Sequence, residues 1–92
     1  MFIPKKFKLF GRTFKVTHPH KIDKGTYWGS CNYEKASIKI LRRLSDEDKE
    51  QTYLHEMTHA ILDGLEYKEL SEDEKFVDLF SKALHQVLTT QE

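Results

Sequence analysis

The segment Tyr53-Leu54-His55-Glu56-Met57-Thr58-His59-Ala60-Ile61 places two histidines four residues apart around a glutamate. On a helix, residues i and i+4 stack on one face, so His55 and His59 can both reach one ion at about 2.0 to 2.1 Å. Glu56 projects about 100° further round, off the ion but within reach of a water beside it, as a general base requires. Leu54, Met57, Ala60 and Ile61 add an apolar side, and an amphipathic helix follows. Upstream, Ser45-Asp46-Glu47-Asp48 supplies an N-cap and an acidic first turn. The helix is expected to run to Asp63, with Gly64 as its stop.

Downstream of this helix, Ser71-Glu72-Asp73-Glu74 reads as a capping box opening a second one. There Phe76, Val77, Phe80, Ala83, Leu84, Val87 and Leu88 recur at three- and four-residue spacing, which predicts one broad core face. Upstream, Lys6–Phe10 and Thr13–Thr17 alternate apolar with polar residues, and Gly11-Arg12 is a tight-turn pair. His18-Pro19-His20 through Lys24-Gly25 is turn-rich, a third strand is expected over about Tyr27 to Tyr33, and a fourth over Ala36 to Leu41. The fold class is α+β: a small antiparallel or mixed sheet of three to four strands, then two helices, in a single domain over residues 1–92.

Composition narrows the function. Hydrophobic residues make up 38% and charged residues 33%, enough for one core and too polar for a membrane span. Lysines interrupt Met1-Phe-Ile-Pro-Lys-Lys-Phe-Lys where a signal peptide needs an apolar run, so a cytoplasmic protein is expected. Cys31 stands alone and cannot form an internal disulfide. The zero net charge hides a division: residues 1–44 carry eleven lysines and arginines against two acids, and residues 45–92 carry four lysines against thirteen acids. The expected outcome is that the halves pack together and partly neutralise each other; a nucleic-acid patch is the disfavoured alternative.

A hydrolytic zinc site needs a third protein ligand and an open position. The metzincin extension, with Gly and His three and six residues after the second histidine, is absent, because those positions are Leu62 and Leu65. The start of the last helix offers Glu72, Asp73 and Glu74. Glu74 is preferred because Asp78, one turn on, can support a ligating histidine through its far nitrogen. Against it, a capping-box glutamate folds back on its own helix, and Asp73 points closer to the centre of the apolar face, so all three stay open.

His55-Glu56-x-x-His59 followed by Glu74-Lys-Phe-Val-Asp78-Leu-Phe80 resembles the gluzincin-type metallopeptidases, most of all ImmA/IrrE-related and minigluzincin-like short forms. These carry a glutamate, an Asn or Asp four residues later, then an aromatic on a "glutamate helix", and Glu74, Asp78, Phe80 and Leu84 follow that order. The resemblance implies a zincin-like fold, with the sheet's edge strand beside an active-site cleft. It also implies zinc held by His55, His59 and Glu74, and a place among phage or mobile-element proteins. Larger relatives cut transcriptional repressors, so the implied partner is a protein or peptide substrate.

The expected activity is zinc-dependent endopeptidase hydrolysis with Glu56 as base. The alternative is a catalytically weak or inactive zinc-stabilised binding or regulatory protein acting on a partner or nucleic acid. Glu56 favours the enzyme, since a structural zinc site needs no unligated glutamate there. Two histidines and a carboxylate also suit iron and other first-row metals. Trp28 to Asn32 is the expected substrate edge, with Tyr27 and Trp28 read as core rather than cleft wall. Cys31 is read as an idle thiol rather than an inhibitory ligand. His85, Tyr67, His18 and His20 are open candidates for a further oxyanion donor, and helix geometry puts His85 too far away to ligate.

Overall fold

A computed structural model describes residues 1–22 and 27–92; the Asp23, Lys24 and Gly25 part of the expected turn-rich stretch lies outside them. Four strands, β1 (Lys6–Leu9), β2 (Arg12–Thr17), β3 (Gly29–Asn32) and β4 (Ser37–Ile40), are followed by helices α1 (Asp46–Gly64), α2 (Lys68–Ser71) and α3 (Glu74–Thr90). The α+β expectation holds. The sheet is mixed, in the order β1-β2-β4-β3, with β2 and β4 parallel and the two outer pairs antiparallel. The chain leaves β2, forms β3 at the far edge and returns to insert β4 between them.

Alternation sorts the strands into two faces. Phe14, Val16, Ile38 and Ile40 turn inward and are buried, while Lys6, Lys8, Lys15 and Lys39 turn outward and are exposed. Phe7 stacks on Phe14 at 5.4 Å between centroids and meets Tyr53 of α1 edge-on at 6.1 Å. Arg12 lies 4.8 Å over the Tyr33 ring and donates to the Tyr33 and Glu34 carbonyls at 2.6 Å each, closing this end of the core.

The β1–β2 turn differs by one residue from the expected Gly11-Arg12. Leu9 pairs with Arg12, and Phe10 and Gly11 both have positive φ, 52° and 77°, as a two-residue hairpin turn of matching twist requires. A phenylalanine occupies this unfavourable position because its ring lies against Gly64, where an added Cβ would fall 2.5 Å from it. Gly64 therefore serves packing. The left-handed residue that ends α1 is Glu66, at φ 64°. Its N–H donates to Asp63 and that of Tyr67 to Leu62, the paired bonds of a Schellman stop.

The second helix also starts differently. Ser45 caps α1 as expected, accepting from Asp48 N at 3.1 Å, but Ser71 caps nothing. It ends the short helix α2, and Asp73 caps α3 by accepting from Phe76 N at 3.1 Å. The predicted capping box is absent because α2 consumes its first residue. The expected apolar face of α3 is split as well: Val77 is fully buried and Phe76 and Leu84 partly so, whereas Phe80, Ala83, Val87 and Leu88 are exposed, and Ser81, outside that face, is fully buried toward α1. No helix among the described residues is long and apolar enough to cross a membrane.

Glu66 bears the steric cost of a left-handed residue with a side chain. Glu66→Gly is expected to raise stability by about 0.5 to 1 kcal/mol, measured by denaturant unfolding. No gain would show that the Glu66 side chain contributes contacts that offset its backbone strain.

Candidate metal centre

Helix α1 lies between the sheet on one side and α3 on the other, so buried residues occur around much of its circumference. His55 and His59, on the flank that turns toward α3, remain partly open. The start of α3 brings Glu74 across to them: Glu74 Oε2 stands 3.3 Å from His55 Nε2, and Oε1 stands 3.1 Å from His59 Nε2. One ligand atom from each of the three residues lies within 4.8 Å of the other two.

Of the three acids, Glu74 is the one that lies with the two histidines. Asp73 spends its carboxylate on the α3 cap, and Glu72, at the end of α2, is not part of the cluster. Glu74 is free to reach across because Asp73 replaces Ser71 as the N-cap, which puts Glu74 at the first helical position and not at the N3 position from which a capping-box glutamate folds back. Each imidazole faces its own oxygen of the Glu74 carboxylate, and two atoms bound at about 2.0 to 2.1 Å to one tetrahedral ion stand roughly 3.3 Å apart, so the 4.8 Å group would have to contract slightly around an ion.

The far nitrogen of one imidazole is hydrogen-bonded and that of the other faces a carboxylate. His59 Nδ1 lies 3.1 Å from the hydroxyl of Ser71, which is buried at 6% exposure. His55 Nδ1 faces Asp78 Oδ1 at 3.8 Å, the side on which Asp78 was expected to act, while Asp78 Oδ2 takes an ion pair from Lys82 at 2.9 Å. Ser71 was missed as a site residue because its sequence context reads as a cap. A short intervening helix was the missing information.

Glu56 is buried at 9% exposure and faces the same cleft. Burial first, and the nearby Glu74 carboxylate second, push its carboxyl up to about 7. Gly29 of β3 lies within the expected substrate edge, but its contact with α1 was not foreseen. A Cβ there would fall 2.5 Å from Thr52 Cγ2 and 3.1 Å from Glu56 Cγ, so glycine lets the edge strand lie directly on α1 beside the base. A glycine inside a strand, which marks close backbone approach, is the signal that could have found it.

The cleft has a volume of about 680 Å³ and runs between β3, α1 and α3. Tyr27 and Trp28 form one wall, exposed at 58% and 49%, which corrects the reading of both as core. They precede β3 instead of lying within it, so strand alternation does not turn them inward. Asp48, Gln51, Asp78 and Lys82 line the cleft from the helical side.

The remaining candidates lie elsewhere. His85 Nε2 lies 3.0 Å from Glu50 Oε1, whose carboxyl is held below its ordinary range chiefly by that bond. His18, His20 and Tyr67 do not line the cleft. His18 is lowered by burial, then by Lys49 and Arg42. Cys31 packs against the core, and burial, Glu56 and Asp63 push its thiol up to about 12, so it carries little thiolate at neutral pH. Comparison of the chain with protein-family models, curated proteins and solved structures finds no match.

Two predictions rest on these contacts. Ser71→Ala leaves His59 Nδ1 without its partner and is expected to weaken metal affinity about 10- to 100-fold, measured by competition with a chelating dye, with Ser71→Thr restoring part of it. In metal-free protein, Glu56 holds its proton more tightly folded than unfolded. Its stability contribution is therefore full below the ordinary value of 4.5 and is lost as pH rises toward about 7. Unfolding of Glu56→Gln in chelator should show a gain over wild type that grows between these values and levels off at on the order of 1 to 3 kcal/mol. A pH-independent difference would contradict the buried-carboxylate reading.

Proposed function

We propose that this protein is a zinc-dependent metallopeptidase of gluzincin-like, zincin-type architecture that hydrolyses peptide bonds of a protein or peptide substrate. The observation that carries the reading is Glu74 lying across His55 and His59, with the unligated Glu56 beside them in an open cleft. Two imidazoles and one carboxylate leave a position open, as a catalytic zinc site does and a closed structural site does not.

Zinc held by His55, His59 and Glu74 would supply Lewis-acid polarisation and acidify water at the site. Glu56 takes the proton of the attacking water and returns it to the leaving amine, a role suited to a carboxyl with a raised proton affinity. Ser71 holds the His59 imidazole with Nε2 toward Glu74, and the Asp78 carboxylate faces the corresponding nitrogen of His55 from 3.8 Å.

The substrate lies along β3, the edge strand of the sheet. Leu41 N donates to the Trp28 carbonyl at 2.8 Å, which makes Trp28 and Leu41 a hydrogen-bonded pair. Antiparallel alternation then turns the peptide groups of Gly29 and Cys31 to the open edge, where an extended peptide can add a strand.

Elemental analysis of purified protein is expected to find one zinc per chain in wild type and Glu56→Gln, and less than one in Glu74→Ala. Peptidase activity on unfolded protein substrates should fall about 10²- to 10⁴-fold in Glu56→Gln with metal retained. Wild-type protein that takes up no metal on reconstitution overturns the proposal.

A further inference from the structure

The outer face of the sheet holds the largest set of chemistry-bearing residues that the metal centre leaves unused. Lys6, Lys8, Lys15 and Lys39 all project from it, with Thr17 and Ser37 between them. Among the described residues, no lysine or arginine side chain of residues 1–44 forms an ion pair with any acid. The expected neutralisation of the basic half by the acidic half is therefore not made through such pairs. The reason is topological: α1 packs on the inner face of the sheet, so the acidic helical layer and the outward lysines lie on opposite sides of it.

The register sharpens the point. Lys6 and Lys15 are direct cross-strand partners, a like-charge placement that destabilises a sheet. Lysines on edge strands protect against edge-to-edge aggregation, and β1 is an edge. That does not account for Lys15 and Lys39, which lie on the two central strands.

We propose that this face binds the phosphate backbone of duplex nucleic acid. Lys6 and Lys8 leave one strand about 6.8 Å apart along the backbone, Lys15 stands across from Lys6 on the next strand at about 4.8 Å, and Lys39 stands across from Thr17 on the strand beyond. A duplex presents about one charge per 1.7 Å of its axis, dense enough to meet all four lysines at once. The described face carries no aromatic ring on which unpaired bases could stack, which favours backbone contact to a duplex over single-strand binding. Bound phosphates also relieve the Lys6–Lys15 repulsion, so binding and stability are linked.

The test is fluorescence anisotropy of a labelled 20-base-pair DNA of mixed sequence, titrated with protein from about 20 to 200 mM salt. Four phosphate contacts predict that log K falls with log salt at a slope of about −3 to −4, and Lys15→Gln and Lys39→Gln should each reduce it by about 1. Lys68→Gln and Lys75→Gln, on the helical layer, should leave it unchanged. Lys15→Gln should also raise the melting temperature of the free protein while reducing the rise that DNA produces, which a misfolded variant cannot do. Equal loss in the helical-layer variants overturns the proposal, as does tighter binding of a single strand than of the duplex. Displacement of DNA by polyglutamate at equal charge would assign the face to an acidic protein instead.

Discussion

The packing of α1 between the sheet and α3 is the constraint on which the other features depend. A helix covered on two sides must bury residues around most of its circumference, and Thr52, Tyr53, Leu54, Glu56, Thr58 and Ala60 are all buried. His55 and His59 occupy the remaining flank, where α3 approaches without closing over them. The same packing that excludes water from Glu56 therefore brings Glu74 into range of both imidazoles. Stability and the site share one interface, with Gln51 donating to the fully buried Ser81 hydroxyl across it at 3.1 Å.

Single residues of this fold take several duties. Gly29 ends one wall of the cleft, permits contact between β3 and α1, and lies against the stem of the base. Ser71 closes α2 and holds His59. Phe10 makes the hairpin turn and covers Gly64 at the other end of α1.

Charge follows the same architecture. Acidic residues concentrate on the helices and basic ones on the sheet, and the core separates the two layers. The result is a polarised molecule with zero formal net charge, so its pI conceals both an acidic cleft rim and a lysine face. Long-range attraction between the layers remains, but solvent screens it over distances beyond about 8 to 10 Å.

Local patterns were sufficient for the α+β class, the four strands, the helix from Ser45, and the His55, Glu56 and His59 set, because period-two and period-3.6 alternation and an i, i+4 pair are properties of short segments. Glu74 was legible as one of three acids. What separated it from Asp73 and Glu72 was the start of α3, and that depended on an unpredicted turn of helix occupying Lys68–Ser71. The exposure of Tyr27 and Trp28, the opening of half the α3 apolar face, and the partnership of Ser71 with His59 were likewise not written in any single segment. Each depends on which element lies opposite, and periodicity reports that a face is apolar without reporting whether anything covers it. Short-range pattern accounts for most of the elements and for the residue types each one carries, whereas which groups meet follows from the packing, because contacts between residues far apart in the chain arise only when the elements come together.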